Sequence, residues 1–182
     1  MRIKLFVVFL LAFIFVTGCT ESDPKLDPKE QAKQVATDFK EKQYKIKYEE
    51  IADLDLREAL RIIDDRVKPL LTKHAFDTNT MVNNFRETVD VSILTKSNLS
   101  LKNIEFEFKE KTDDTYIFDY NVEVFFEKYN DDILTETESI TGEVKVTNTE
   151  DGFLVSNSTQ THFPLKHIEA IQKKFGVPVG YY

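Results

Sequence analysis

The longest regular alternation in the chain runs from Tyr116 to Phe126. Tyr116, Phe118, Tyr120, Val122, Val124 and Phe126 share one face of an extended strand, and Ile117, Asp119, Asn121, Glu123 and Phe125 share the other. The first face is wholly apolar or aromatic and the second is polar in its middle, which predicts a strand buried on one side only. Shorter alternations flank it: Val89, Val91 and Ile93; Ile104, Phe106 and Phe108; Ile140, Val144 and Val146 within a strand from Leu134 to Val146; and a last strand from Phe153 to Phe163. Thr112-Asp113-Asp114, Asn130-Asp131-Asp132 and Glu150-Asp151-Gly152 carry turn chemistry between these runs. One-sided strands in series with short turns predict an antiparallel sheet with one buried face.

Before about Thr88 the period is helical. Asp27-Pro28-Lys29-Glu30 combines an Asp cap, Pro at the first helical position and an early acid. Ala32, Val35, Ala36, Phe39 and then Ile46 follow near helical spacing. The helix is expected to unravel between Gln43 and Tyr48, where Tyr44, Ile46 and Tyr48 alternate. Asp55-Leu56-Arg57-Glu58 is a second capping signal, followed by Leu56, Leu60, Ile63 and Val67 on one helix face. Pro69 disfavours helix at Lys68 and stops or kinks it. Leu70, Leu71, Ala75 and Phe76 predict one further turn, and Thr78 to Phe85 another short helix. Near the end, Pro164 opens a helix with Leu165, Ile168, Ile171 and Phe175 in one stripe. Gly176 stops that helix, and Val177 to Tyr182 form a short apolar tail.

Helices followed by long antiparallel strands predict an α+β fold: N-terminal helices packed on a curved antiparallel sheet of about four strands, with a C-terminal helix. The element order from Lys29 to Phe163, and the helix ending Val67-Lys68-Pro69-Leu70-Leu71-Thr72, resemble the nuclear transport factor two and cystatin-like superfamily. The resemblance implies a cone-like sheet wrapped around helices, with a pocket at its open end. It implies no particular activity, because one fold hosts enzymes, binders and scaffolds alike.

The first nineteen residues follow a third pattern. Arg2 and Lys4 precede an unbroken apolar run from Leu5 to Val16, and Thr17-Gly18-Cys19 follows. As a helix the run would span about 18 Å at roughly 1.5 Å per residue, well short of the ~30 Å hydrocarbon core of a bilayer. A basic head and an apolar stretch of this length have the layout of an export signal. Val16-Thr17-Gly18-Cys19 resembles the cleavage box of bacterial lipoproteins, in which an aliphatic residue, a small residue and Gly or Ala precede Cys. The resemblance implies cleavage after Gly18, a diacylglycerol on the Cys19 sulfur and an acyl group on its freed amine. Each buried methylene contributes about 0.8 kcal/mol, so one acyl chain holds a protein marginally and two or three hold it firmly. The chain then divides into a signal peptide (1–18), a lipidated cysteine with a flexible tether (19–28) and a single globular α+β domain (29–182). Its expected location is the extracytoplasmic face of a bacterial cell membrane. The polar tether sequence TESDPKLDP, with two prolines, fits that arrangement.

Charge and composition narrow the function. The chain carries a net charge of −8, and the signal holds two of its 24 basic residues and none of its 32 acidic ones. A mature chain more acidic still argues against nucleic acid as a partner and offers no polybasic patch for membrane attachment. Cys19 is the only cysteine, so a lipidated Cys19 leaves no thiol for disulfides or metal binding. His74, His162 and His167 form no metal-binding pattern, and no nucleophile elbow, phosphate loop or dinucleotide fingerprint occurs. Asn130-Asp131-Asp132 lacks the spaced ligands of a calcium loop. No metal and no cofactor is therefore expected. Asp119 and Glu123 are the candidate catalytic residues: on one strand face with Asn121, either could act as a general base if that face lined a pocket. The isomerases and cyclases of the superfamily use pocket acids, so the resemblance implies this small-pocket enzyme as the alternative. The leading expectation is a non-catalytic binding module that meets the membrane through its lipid and docks a cell-envelope protein. A passive structural component is the third class.

Overall fold

The computed structural model describes residues 26–77, 82–128 and 135–161. The strand predicted from the longest alternation lies second in a four-stranded antiparallel sheet of order β1-β2-β3-β4: β1 (Ser97–Thr112), β2 (Thr115–Lys128), β3 (Thr135–Thr149) and β4 (Gly152–Gln160). Tyr116, Phe118, Tyr120, Val122, Val124 and Phe126 are all buried, with Ile140, Val144, Val146 and Val155 continuing that face onto β3 and β4. Helix α1 (Pro28–Tyr44) lies across all four strands on this side. It brings Ala32, Ala36 and Phe39 into the core, and Phe39 meets Phe85 with ring centroids 6.3 Å apart. Register shifts at Leu101/Asn103 and Phe108/Glu110 in β1 and at Lys145/Val146 in β3 bend the long strands around the helices.

Local chemistry sets the helix limits as expected. Asp27 caps α1 by accepting from the Lys29 amide at 2.8 Å. Asp55 caps α3 (Leu56–Val67) by accepting from the Glu58 amide at 2.9 Å. Pro69 ends α3 in a 3₁₀ turn (Lys68–Leu70), after which α4 (Lys73–Asp77) adds a single turn. α1 ends at Tyr44, inside the stretch expected to unravel. Ile46 pairs with Leu99 by two backbone bonds of 3.0 and 2.8 Å, before the short α2 (Tyr48–Ile51). On the opposite edge, the Thr72 amide donates to the Val155 carbonyl at 2.9 Å. Each edge strand is thereby met by a segment of the helical layer, which partly covers the open hydrogen-bonding edges.

One expectation is corrected. Val89, Val91 and Ile93 belong not to a strand but to α5 (Val82–Thr95), and the sheet begins only at Ser97. Phe85 and every residue from Glu87 to Ser92 are buried. A helix enclosed on most of its circumference shows no single apolar stripe, so its β-branched residues mimic a two-residue period. The predicted C-terminal helix and tail, His162 and His167, Asp131-Asp132, and everything before Leu26, including Gly18 and Cys19, lie outside the described residues.

Truncating the core ring tests this layering. Phe39→Ala is expected to lower unfolding stability by about 3–5 kcal/mol in urea denaturation. Leu54→Ala, at an exposed apolar residue, should stay within about 0.5 kcal/mol. Equal losses at both positions would contradict the assignment of the core.

Candidate functional site

Two polar features occupy opposite faces of one patch of the sheet. On the inner face, Lys40 of α1 is fully buried. Its ammonium lies 3.0 Å from Gln43 Oε1, 2.8 Å from the Tyr120 hydroxyl and 2.9 Å from Ser158 Oγ, and 4.0 Å from the centroid of the Tyr120 ring. Burial drives the Lys40 amine well below its ordinary value and pushes the Tyr44 and Tyr120 hydroxyls up. A neutral amine still satisfies the three partners, because it can donate twice and accept from the Ser158 hydroxyl. The Tyr120 hydroxyl donates to the Thr159 carbonyl at 2.9 Å, so its oxygen is left to accept from Lys40. From Lys40 the bonding continues through two amides: Gln43 Nε2 donates to Gln160 Oε1 at 2.9 Å, and Gln160 Nε2 reaches the buried Glu87 carboxylate at 3.5 Å. The Tyr44 hydroxyl also donates to Gln160 Oε1 at 2.9 Å. Four elements, α1, α5, β2 and β4, are joined by this network.

The Tyr120 side chain reaches β4 by passing over Gly142 of β3, its direct cross-strand partner. A Cβ at Gly142 would run into the Thr159 carbonyl oxygen and come within 2.6 Å of the Tyr120 hydroxyl and 2.8 Å of Gln160 Cα. Glycine here permits the close approach on which the Tyr120–Thr159 bond depends.

On the outer face, the same residues floor a trough. A cavity of about 710 Å³ opens to solvent over Tyr120, Gly142 and Thr159, walled by Glu105, Glu107, Lys109, Asp119, Thr141 and Glu143. Lys109, on the edge strand, reaches across β2 to Glu143 at 2.7 Å and passes Asp119 at 3.5 Å; Lys145 joins Glu143 at 3.4 Å. The hydrogen bond with Lys109 holds the Glu143 carboxyl below its ordinary value and raises the Lys109 ammonium. A second, smaller cleft of about 450 Å³ is lined by Lys42, Lys45, Lys47, Arg66 and Glu50. Arg66 donates there to the Lys45 carbonyl and pairs with Glu50 at 2.8 Å, as basic groups do at a helix C-terminus.

The structure separates the two acids singled out from the sequence. Asp119 lines the trough with its side chain 52% exposed, so it lacks the dry pocket that a tuned general base requires. Glu123 lies two steps of the alternation further along β2, beside Asn103 and Ser139, and is not among the trough residues. Asn121, between them, accepts from Ser139 Oγ at 2.6 Å. Asp64 of α3 is partly buried, and its carboxyl is raised by burial first and then by the Asp65 charge. Among the described residues, no group of three or more His, Cys, Asp or Glu is placed to hold a metal ion. The Lys40 network escaped the sequence reading. Its signal was Lys40 and Gln43 standing at the spacing of the Ala32–Ala36 stripe, where an apolar residue was due.

No protein-family model and no curated protein matches the chain. Its fold is similar to that of an IcmL-like type IV secretion system protein from Legionella pneumophila, at 10% identity and a TM-score of 0.52, over 72% of this chain and 91% of that one. A periplasmic fragment of TraM is more distant, at 9% identity and a TM-score of 0.47, over 74% of this chain and 97% of that one. At these identities the first likeness establishes a shared fold and nothing beyond it.

The two faces generate separate predictions. Lys40 has its folded-state pKa depressed from 10.5, so its stability contribution is complete only above that pH and is lost as pH falls toward the folded-state value. Lys40→Met removes the titration but also a set of hydrogen bonds, a pH-independent offset. The stability difference between Lys40→Met and wild type should shift in the mutant's favour as pH falls from 10.5 toward neutrality; a difference constant with pH would contradict a neutral buried amine. Gly142→Ala should cost about 1–3 kcal/mol in chemical denaturation, and a neutral effect would show that the Tyr120 crossing is not constrained.

Proposed function

We propose that this chain is a lipid-anchored binding module that presents the outer face of its sheet to a protein partner in the bacterial cell envelope. The observation that carries the reading is the trough over Tyr120, Gly142 and Thr159. Helices occupy the inner face of the sheet, so the trough is the concave surface left free for a partner, and its charged walls suit a polar, reversible interface. The lipobox Val16-Thr17-Gly18-Cys19 supports attachment through Cys19 at the extracytoplasmic face. No helix among the described residues is long and apolar enough to cross a membrane. The helix-then-sheet order with its Val67–Thr72 helix ending supports a place beside the nuclear transport factor two and cystatin-like domains. The fold shared with an IcmL-like secretion-system protein is compatible with envelope assembly.

Two measurements test the reading. With a photo-crosslinking residue in place of Asn121, intact cells should yield discrete adducts, whereas the same residue in place of Glu49, on α2, should yield none. Equal adducts from both positions, or none from either, would remove the trough as the docking surface. Cys19→Ser should abolish labelling of the chain by radioactive fatty acid and leave the precursor uncleaved. A variant that is still processed and still membrane-bound would overturn the lipid anchor.

A further inference from the structure

The end of the domain where α1 begins carries exposed apolar side chains, although one of them, Phe108, also meets the buried Phe118 edge-on with ring centroids 5.8 Å apart. Leu26 is 61% exposed and Phe108 42% exposed, although most large apolar residues of this domain are at least partly buried. They belong to one neighbourhood: the Leu26 carbonyl accepts from Gln31 in the first turn of α1, and the Lys29 ammonium of that turn lies 5.5 Å from the centroid of the Phe108 ring. Three residues further along β1, Lys111 lies 5.1 Å from the centroid of Tyr116. Tyr116 itself is buried, but the exposed Phe108 ring with the Lys29 ammonium laid over it suits a membrane interface, where the stem and ring meet acyl chains and the ammonium rises to the headgroups.

The chain leading to this end limits what can cover it. Seven peptide steps separate Cys19 from Leu26, a reach of at most about 25 Å when fully extended. An acyl group on Cys19 therefore holds the start of α1 within that distance of the bilayer surface. The rest of the domain hangs from it: Leu99, at the other end of β1, is roughly 30 Å of strand away from Phe108 at about 3.3 Å per residue. Leu54, 36% exposed, belongs to that far end, where Ile46 pairs with Leu99 and the Tyr48 amide donates to Asn98 Oδ1 at 2.9 Å.

We infer that Leu26 and Phe108 rest on the lipid surface and fix the orientation of the anchored domain. The trough then stands above the membrane, with its side walls on β1 to β3. This inference rests on lipidation of Cys19. Asp113 and Asp114 at the adjacent turn offset Lys29 and Lys111, so the contact is apolar and does not depend on anionic headgroups.

Because the chain contains no tryptophan, single tryptophans report the contact directly. Full-length lipidated protein carrying Phe108→Trp, and separately Leu54→Trp, is extracted from membranes and reconstituted into phosphatidylcholine vesicles with brominated acyl chains. Phe108→Trp should show a blue-shifted emission that loses most of its intensity to the brominated lipid, unchanged by added salt, and Leu54→Trp should be unaffected. If the protein floats with the vesicles but the two reporters are quenched equally, or neither is, the orientation is wrong while the anchor stands. A blue shift at position 108 without bromine quenching would mean that a second protein surface covers Phe108, and would also overturn the inference. Failure of the wild-type lipidated protein to float would sink the anchor and this inference together.

Discussion

The fold depends on burying one face of a long, bent sheet under a layer of helices in which α1 crosses all four strands. The six alternating residues from Tyr116 to Phe126 cannot be left in water, and α1 supplies the cover with its small Ala32 and Ala36 and its bulky Phe39. At about 25 cal/mol per Å² of buried apolar surface, that contact is the main source of stability for a domain in which no disulfide is expected. The same arrangement decides what is left for function. With helices on the inner face, the outer face of β1 to β3 remains polar and accessible, and the trough lies on it.

Lys40 is the exception within that contact. A buried lysine is a standing charge penalty unless it loses its proton or finds partners, and here both responses are visible: three hydrogen-bond partners and a depressed amine. Its bonds reach β2 and β4 across the place where Gly142 lets Tyr120 pass. The network therefore ties the helix to the strands that floor the trough. A polar contact of this kind specifies alignment, since slippage of α1 along the sheet would strand a lysine, two glutamines and a tyrosine without partners.

Much of the architecture was legible because its cues are local. Asp27, Asp55 and Pro69 mark helix limits through backbone hydrogen bonding and ring geometry, and the alternation of β2 reports burial on one side. The segment from Val82 to Thr95 was misread for a physical reason. Once a helix is enclosed on most sides, burial no longer has a 3.6-residue period, and β-branched residues then speak for a strand. The polar network was illegible for a different reason: Gln160 and Ser158 lie more than a hundred residues from Lys40 in the chain, and only the tertiary fold brings them together. The trough was half legible. Asp119 was found from its strand face, but Lys109 stands on β1 and Glu143 and the floor at Gly142 on β3, and the register that sets them beside β2 is not written in any one segment.

The inner network and the outer trough share Tyr120, Gly142 and Thr159, so the domain holds a rigid floor beneath a surface open to a partner. The most direct test of this account is the size of the complex extracted from native membranes in mild detergent, comparing wild type with Thr141→Trp. Thr141 is exposed in the trough wall, so the substitution fills the trough without entering the core. The account predicts that wild type migrates as part of a larger assembly and that Thr141→Trp migrates as a lone chain with an unchanged melting temperature. An assembly of the same size from both proteins would contradict it.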